Sequence, residues 1–305
     1  MDIIDKEIGN LINMSMAAGS WKTYGTAVGS FNNFRKLYRL DLIWLAPLDS
    51  LAQFIAYLSH KGMSASTVAT YISGLSHCHK LNDLQDNTQS FIIKKLLEGM
   101  RRKYPQRTDI RAPISIQLLK HLRLALRRVC SSNYESLMFS TAFSIAYFGM
   151  LRVSEIAVNS RSDESGHALN LDDVSFSENC NTLHIRLLSS KTDQKHRSVT
   201  LFVSKQPDSD LCPVRLLQSF LKLRFSGLNG SNKLFVHFDG ACLSEYQFSS
   251  VLQKCLQFCD IPLHIRSHSF RIGRATDLAR FGVEDDHIKQ CGRWSSDSYL
   301  RYIRL

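Results

Sequence analysis

Residues 137–151, "LMFSTAFSIAYFGML", limit the fold more than any other stretch of this chain. Apolar residues occupy every face of a helix drawn through them, so that helix has no side to offer to water. The run falls short of the roughly 20 residues a bilayer requires, and Ser and Thr interrupt it. It therefore reads as a helix buried inside a domain. Such a helix needs neighbours all round, and 305 residues supply chain for two domains. A composition of 44% hydrophobic and 21% charged residues is that of a globular protein. The opening "MDIIDKEIGNLINMSM" lacks a basic stretch followed by a long apolar one, so no secretory signal is read there, and no membrane association is expected.

Upstream of that helix the chain reads as helices with clear punctuation. Ser20 is the expected cap of "WKTYGTAVGSFNNFRKLYRL", where Tyr24, Val28, Phe31, Phe34 and Leu37 recur at helical spacing. "SLAQFIAYLSH" follows Pro47 and ends near Gly62, and Ser64 or Ser66 caps "TVATYISGLSHCHKL". In "SFIIKKLLEGMRRKY" the apolar side is expected to hold Phe91, Ile92, Leu96, Leu97 and Met100. Lys94, Lys95, Arg101, Arg102 and Lys103 lie mainly elsewhere, as a basic face. The polar, basic segment 105–114 carries two prolines and reads as a linker.

Beyond it Ser115 starts another helix, and the apolar helix follows over 133–150. Then the period changes from helical to two. "TLHIRLL" and "RSVTLFV" alternate apolar and polar residues and are joined by "SSKTDQKH", the pattern of an antiparallel hairpin with an extended loop. Pro213 opens a helix, "KLFVHF" is expected as a short strand, and the remainder reads as helical.

The 38 Lys and Arg exceed the 27 Asp and Glu by 11, a balance that favours a polyanionic partner. Eight cysteines without a CxxC pair or a secreted-type framework suit reduced thiols in a cytosolic or nuclear protein. Cys255, Cys259, His264 and His268 superficially resemble a zinc site. Leu252, Leu256 and Phe258 around the two cysteines mark instead a helix face buried in a core, and no metal is expected.

Four stretches of the second half carry candidate chemistry. "YFGMLRVSEI" sets Arg152 just after the buried helix, with Glu155 one turn on; "LLSSKTDQKHRS" presents Lys191 in the hairpin loop. "HSFR" supplies His268 and Arg271, and "CGRWSSDSYLRYIR" supplies Trp294, Tyr299 and Tyr302. Taken singly, each has an ordinary structural explanation, such as a helix-end salt bridge for Arg152 with Glu155. In chain order, Arg152, Lys191, His268 with Arg271, Trp294 and Tyr302 resemble the catalytic set of the tyrosine recombinases. These are the lambda-integrase-like, or phage integrase, family of DNA breaking and rejoining enzymes. That set runs Arg, Lys on a β-hairpin, His-x-x-Arg, His or Trp, then Tyr. The ending "GRWSSDSYLRYIR" is also similar to recombinases carried by eukaryotic mobile elements of the Crypton and DIRS kind.

The resemblance implies a mainly α fold: a helical core-binding (SAM-like) bundle over 1–104, a linker over 105–114, and a mixed α+β catalytic domain with a small antiparallel sheet over 115–305. It implies site-specific recombination through a 3′-phosphotyrosine intermediate, without cofactor, metal or ATP. Arg152 and Arg271 would clamp the phosphate with forked, permanently charged hydrogen bonds. His268 would donate to that phosphate or take the nucleophile's proton. Lys191, with Lys195 as the spare, would protonate the departing 5′ oxygen. Trp294 would give its indole N–H, which donates only. Glu155 would orient Arg152 or close a structural pair.

Tyr302 is the expected nucleophile and Tyr299 the alternative. The family places its tyrosine about nine residues after the His or Trp position, and Tyr302 lies eight beyond Trp294, Tyr299 five. Double-stranded DNA is the implied partner, gripped by a homo-oligomer, a tetramer. Lys94, Lys95, Arg101, Arg102, Lys103, Arg107, Arg111 and Arg274 are the expected backbone contacts. The sequence ends three residues after Tyr302, where family members often carry a further helix that docks into a neighbouring protomer. The expectation is a tetramer packed differently, or a truncated or domesticated copy. The location is nuclear in a eukaryote and otherwise cytoplasmic. A non-enzymatic DNA-binding descendant and a type IB topoisomerase-like enzyme are the competing readings.

Overall fold

The computed structural model describes residues 2–104, 109–160, 167–188, 198–225, 231–261 and 264–305. The chain divides into two compact units, residues 1–109 and 110–305. No helix among the described residues is long and apolar enough to cross a membrane.

The first unit is helical: α1 (Asp2–Met14), α2 (Ala18–Leu37), α3 (Leu48–His60), α4 (Ala65–Leu81) and α5 (Phe91–Lys103). The helix α1 was not anticipated, and Ser20 lies inside α2, which starts two residues earlier with no side-chain cap. The Ser64 hydroxyl caps α4 by accepting the Thr67 N–H at 3.2 Å. Gly74 lets α4 approach α2 closely: a Cβ there would lie 3.0 Å from that of Ala27. The core gathers Phe31, Phe34, Leu51, Phe54, Ile55, Val68 and Leu75. On α5 it takes Ile93 and Met100, with Leu96 and Leu97 alongside, whereas Phe91 and Ile92 face solvent. The expected apolar side was thus turned: spacing of three and four from Ile93, not from Phe91, defines the buried stripe. Arg35 is wholly buried among these rings. It donates to the Ile43 carbonyl (2.7 Å) and the Asn32 amide oxygen (2.7 Å), with its guanidinium over Phe31 and Trp44.

The second unit is built around α7 (Asn133–Phe148). From Met138 to Phe148 every residue is buried. The embedded hydroxyls stay satisfied: Ser144 donates to the Leu211 carbonyl at 2.6 Å, and Thr141 to its own preceding turn at 2.7 Å. Around α7 stand α6 (Ile116–Val129), capped by Ser115, then α9 (Pro213–Phe225), α10 (Glu245–Phe258) and α11 (Ser269–Arg280). Between them come the single-turn α8 (Val153–Ile156) and an antiparallel sheet, β1 (Val174–Phe176), β2 (Thr182–Leu187) and β3 (Val199–Ser204), in that order. In the expected hairpin Leu183 faces Val203, Ile185 faces Leu201 and Leu187 faces Val199; Leu183, Ile185, Leu187 and Val203 turn into the core, while Val199 at the open end stays exposed. The short β1 was not foreseen. Segment 233–238, expected as a strand, forms isolated bridges, Asn170 to Lys233 and Val236 to Cys242, because its neighbours change from residue to residue.

A smaller core of Met150, Ala275, Leu278, Ile288 and Tyr299 joins α11 to α12 (Asp285–Gly292) and to a 3-10 turn over Asp297–Tyr302. At the front of α11 the backbone of Ile114 crosses Gly273. Its N–H bonds the Ser269 carbonyl at 3.1 Å, and a Cβ on Gly273 would fall 1.9 Å from the Ile114 oxygen. Of the segment expected as linker, Ala112 likewise bonds the His264 carbonyl at 3.1 Å, while 105–108 lie outside the described residues.

Candidate active site

The end of α7 creates the first part of the site. After the cap at Gly149, Met150 turns left-handed (φ 47°) and is followed by Arg152 at the head of α8. Glu155, one turn on, accepts the Arg152 N–H at 2.8 Å and its Nη1 at 3.1 Å, which fixes the arginine at the helix entrance. One fifth of the Arg152 side chain remains exposed, whereas Glu155 is buried.

The head of α11 supplies the second part. Arg271 points inward, 1% exposed, with Nη1 donating to the Met150 carbonyl and Nη2 to the Gly292 carbonyl at 2.8 Å. Trp294 and Tyr302 lie over its guanidinium, ring centroids 5.0 and 5.7 Å away. Burial, with Arg293 and Arg152 nearby, pushes its pKa down to about 10, so it stays charged at neutral pH. His268, one turn before Arg271, sits 2.8 Å by Nε2 from the Tyr302 hydroxyl.

The third part is the end of α12. Arg293 closes this helix in the left-handed region (φ 58°), with the next N–H, of Trp294, returning to the Lys289 carbonyl at 2.9 Å. Gly292 is required by its neighbour: a Cβ there would lie 1.8 Å from the Trp294 ring. Turning back, the Arg293 guanidinium forks onto Glu155, Nη1 to Oε1 at 3.2 Å and Nη2 to Oε2 at 3.0 Å, and Nη2 also reaches the Met150 carbonyl at 3.1 Å. Burial opposes ionisation of Glu155, but the Arg293 charge, the Arg152 N–H and the guanidinium hydrogen bonds outweigh it. The carboxyl is held below its ordinary range.

The cluster therefore sets three guanidinium groups, Arg152, Arg271 and Arg293, around one carboxylate. Two positive charges are in surplus, and the buried Nε of Arg271 and that of Arg293 have no hydrogen-bond partner among the described residues. A site rich in donors and short of acceptors suits an anion. Beside it lies a phenol hydrogen-bonded to an imidazole, the pairing expected of a nucleophile and a proton acceptor. The phenol is held from both sides: Trp294 packs with its ring centroid 4.7 Å from that of Tyr302, and the Tyr302 carbonyl and the Arg304 N–H are tied to the Thr276 hydroxyl of α11. Among the described residues no group of three or more His, Cys, Asp or Glu could hold a metal ion, and Cys255 of the zinc-like spacing packs in the main core.

Of the residues singled out from the sequence, Arg152, Glu155, His268, Arg271, Trp294 and Tyr302 come together here. Lys191 and Lys195 lie outside the described residues, as does Arg107. Tyr299 faces the smaller core with Lys289 over its ring, and neighbouring Asp285 pushes its phenol above the ordinary value. Arg274 rests over Tyr147 and Phe148. On α5, Lys95 and Arg102 both pair with Glu98, at 2.9 and 2.6 Å, while Lys94, Arg101 and Lys103 are exposed; Arg111 is half-buried. Glu155 does more than support Arg152, since Arg293 holds both its oxygens. Arg293 is a member of the cluster not expected from the sequence, although it stands nine residues before Tyr302 and Trp294 only eight.

The sequence profile of the phage integrase family matches residues 117–304. Among solved structures, XerH site-specific recombinase bound to palindromic difH substrate is 15% identical, with 93% of this chain and 76% of that one covered at a TM-score of 0.64. A lambda integrase dimer bound to a COC′ core site is 13% identical, covering 98% and 75% at 0.61. Tn1549 transposon integrase with transposon right end DNA is 13% identical, covering 85% and 81% at 0.58. At such identities the likeness is one of fold. No curated protein matches the sequence significantly. The profile spans well over half of the chain and takes in every described residue of the cluster, and on that ground the chain belongs to the phage integrase family, the tyrosine recombinases.

Proposed function

We propose that this chain is a site-specific DNA recombinase that cuts and rejoins strands through Tyr302. The observation that carries the reading is the 2.8 Å contact between the Tyr302 hydroxyl and His268 Nε2, set against a cluster with surplus positive charge. The phenol oxygen attacks a backbone phosphorus and passes its proton to His268, and the bond from phosphorus to the 5′ oxygen breaks. The 5′ oxygen takes a proton from Lys191, the role the family resemblance gives that lysine. A phenol gives up its proton reluctantly, so cations must stabilise the phenolate as it forms, and Arg271 under the Tyr302 ring answers that need. Arg152, partly exposed with donors to spare, meets the phosphate as charge gathers on its non-bridging oxygens. The 3′-phosphotyrosine keeps the energy of the broken bond, so a second 5′ hydroxyl can reverse the step without ATP or a metal.

The DNA bound to XerH, lambda integrase and Tn1549 integrase supports double-stranded DNA as the substrate here, and the lambda integrase dimer supports assembly of copies on it, a tetramer in our reading. Exposed Lys94, Arg101 and Lys103 would contact its backbone. The ending "GRWSSDSYLRYIR" points to a eukaryotic mobile-element lineage and a nuclear location. The test is incubation with fragmented genomic DNA followed by denaturing electrophoresis and sequencing of the protein-linked ends. A covalent adduct at defined sites is expected, and Tyr302→Phe removes it entirely. DNA binding without an adduct would make the chain a binder only. Relaxed plasmid without exchanged strands would make it a topoisomerase-like enzyme, and an adduct surviving in Tyr302→Phe would transfer the role to Tyr299.

A further inference from the structure

We infer that Arg293 is a positioning residue: it serves as the counter-ion of Glu155 and so releases Arg152 to engage the phosphate. The inference rests on the function proposed above and concerns how that site is kept ready.

A buried carboxylate claims the nearest cation. Glu155, 2% exposed, lies within reach of two, and the geometry divides them unequally. Arg293 meets both oxygens through both terminal nitrogens, at 3.2 and 3.0 Å, the forked arrangement that binds carboxylates best. Arg152 gives the same carboxylate one terminal nitrogen, at 3.1 Å, and its backbone N–H. With Arg293 in place, Arg152 is anchored but not consumed, and it is the more exposed of the two, 20% against 11%. Arg293 also donates to the Met150 carbonyl, which accepts from Arg271 as well. One side chain thereby ties the backbone under Arg271 to the carboxylate under Arg152, linking both halves of the clamp.

The local backbone fits this use. Arg293 adopts a left-handed conformation that side chains other than Gly and Asn seldom take, and in doing so it turns back from the end of α12 toward α8. Were Arg293 absent, Glu155 would be a buried anion with Arg152 as its one remaining partner. The pair would tighten, and the phosphate would have to compete with a carboxylate for the same guanidinium.

A pool of nicked duplexes with randomised sequence around the nick serves as the probe, with covalent adduct formation as the readout and thermal unfolding of each variant in parallel. Arg293→Ala is expected to slow adduct formation about a hundredfold, in line with loss of one partner of a buried pair. The decisive variant is Arg293→Ala combined with Glu155→Gln, which removes the carboxylate that would capture Arg152. It should recover at least about tenfold of the lost rate, a coupling that independent sites do not give. Arg293→Lys, which keeps the charge but not the fork, should fall between wild type and Arg293→Ala.

A double variant no faster than Arg293→Ala overturns the inference, as does an Arg293→Ala protein with the wild-type rate. If Arg293→Ala alone does not fold, the double variant should, because the buried carboxylate that Arg293 balances is gone as well; if neither folds, Arg293 is purely structural and the inference fails. A wild-type chain that forms no adduct overturns the proposed function itself, a result distinct from all of these.

Discussion

Arg35 in the first unit and Arg271 in the second are both sealed from solvent, yet they are buried in opposite ways. Arg35 gives its terminal nitrogens to backbone carbonyls and an amide oxygen, with two aromatic faces covering it; its Nε, like that of Arg271, has no partner among the described residues. Nothing about it is directed outward, and it joins α2 to the loop that follows. Arg271 also holds two carbonyls and lies under two rings, but the charges of Arg293 and Arg152 lie close by, and the carboxylate of the cluster is bonded to those two and not to it. One of its covering rings carries a hydroxyl aimed at an imidazole. Burial of a charge does not by itself mark a site. Concentration of like charges with too few acceptors does.

This contrast can be broken by substitution. The largest effect is expected for Arg271→Lys, which keeps a cation but loses the two-armed hold on Met150 and Gly292. Adduct formation should fall by about 10²–10³, the cost of losing one preorganised donor, while the first unit's unfolding is unchanged. Arg35→Met should do the reverse. It leaves the Ile43 carbonyl and Asn32 unpaired and lowers the stability of the first unit by about 2–4 kcal/mol, measured by urea unfolding of the full chain, with the chemistry of bound DNA unaltered. If Arg35→Met abolished adduct formation without loss of DNA binding, the contrast would fall.

The smallest effect is a difference in acid sensitivity. Glu155 is held below its ordinary carboxyl value in the folded chain. Its contribution is therefore complete above the unfolded pKa of about 4.3 and is lost as pH falls through the lower folded value. Glu155→Gln should flatten the acid limb of second-unit stability in that window and leave the first unit's limb, where Asp86 is also held low, as it was. A second unit with the same acid limb in both proteins would show that Glu155 is not bound as described.

Much of this was legible in the sequence because periodicity records burial directly. The unbroken apolar face of α7, the hairpin's alternation and the Ser64 and Ser115 caps each follow from a local rule that no tertiary contact overrides. Where two apolar phases competed, as on α5, only the neighbours decided that Ile93 and not Phe91 turned inward. The cluster was readable as residue types in order, since Arg152, His268, Arg271 and Tyr302 each carry recognisable chemistry. Arg293 was not, because its part depends on a left-handed turn at the end of α12 that sends the side chain back toward Glu155. Such a turn ordinarily announces itself by glycine, and here the glycine stands one position earlier to make room for Trp294.

Met150 holds a consequence that reaches beyond the reaction. Its side chain fills the smaller core, while its carbonyl receives two guanidinium groups through a left-handed backbone. A glycine there would ease the backbone and empty the core; a bulkier residue would fill the core and distort the carbonyl's aim. The position is thus constrained twice over, by requirements that pull toward different amino acids. Substitution at this joint is therefore costly in either direction, because the same residue must fill the core and aim the carbonyl that two guanidinium groups share.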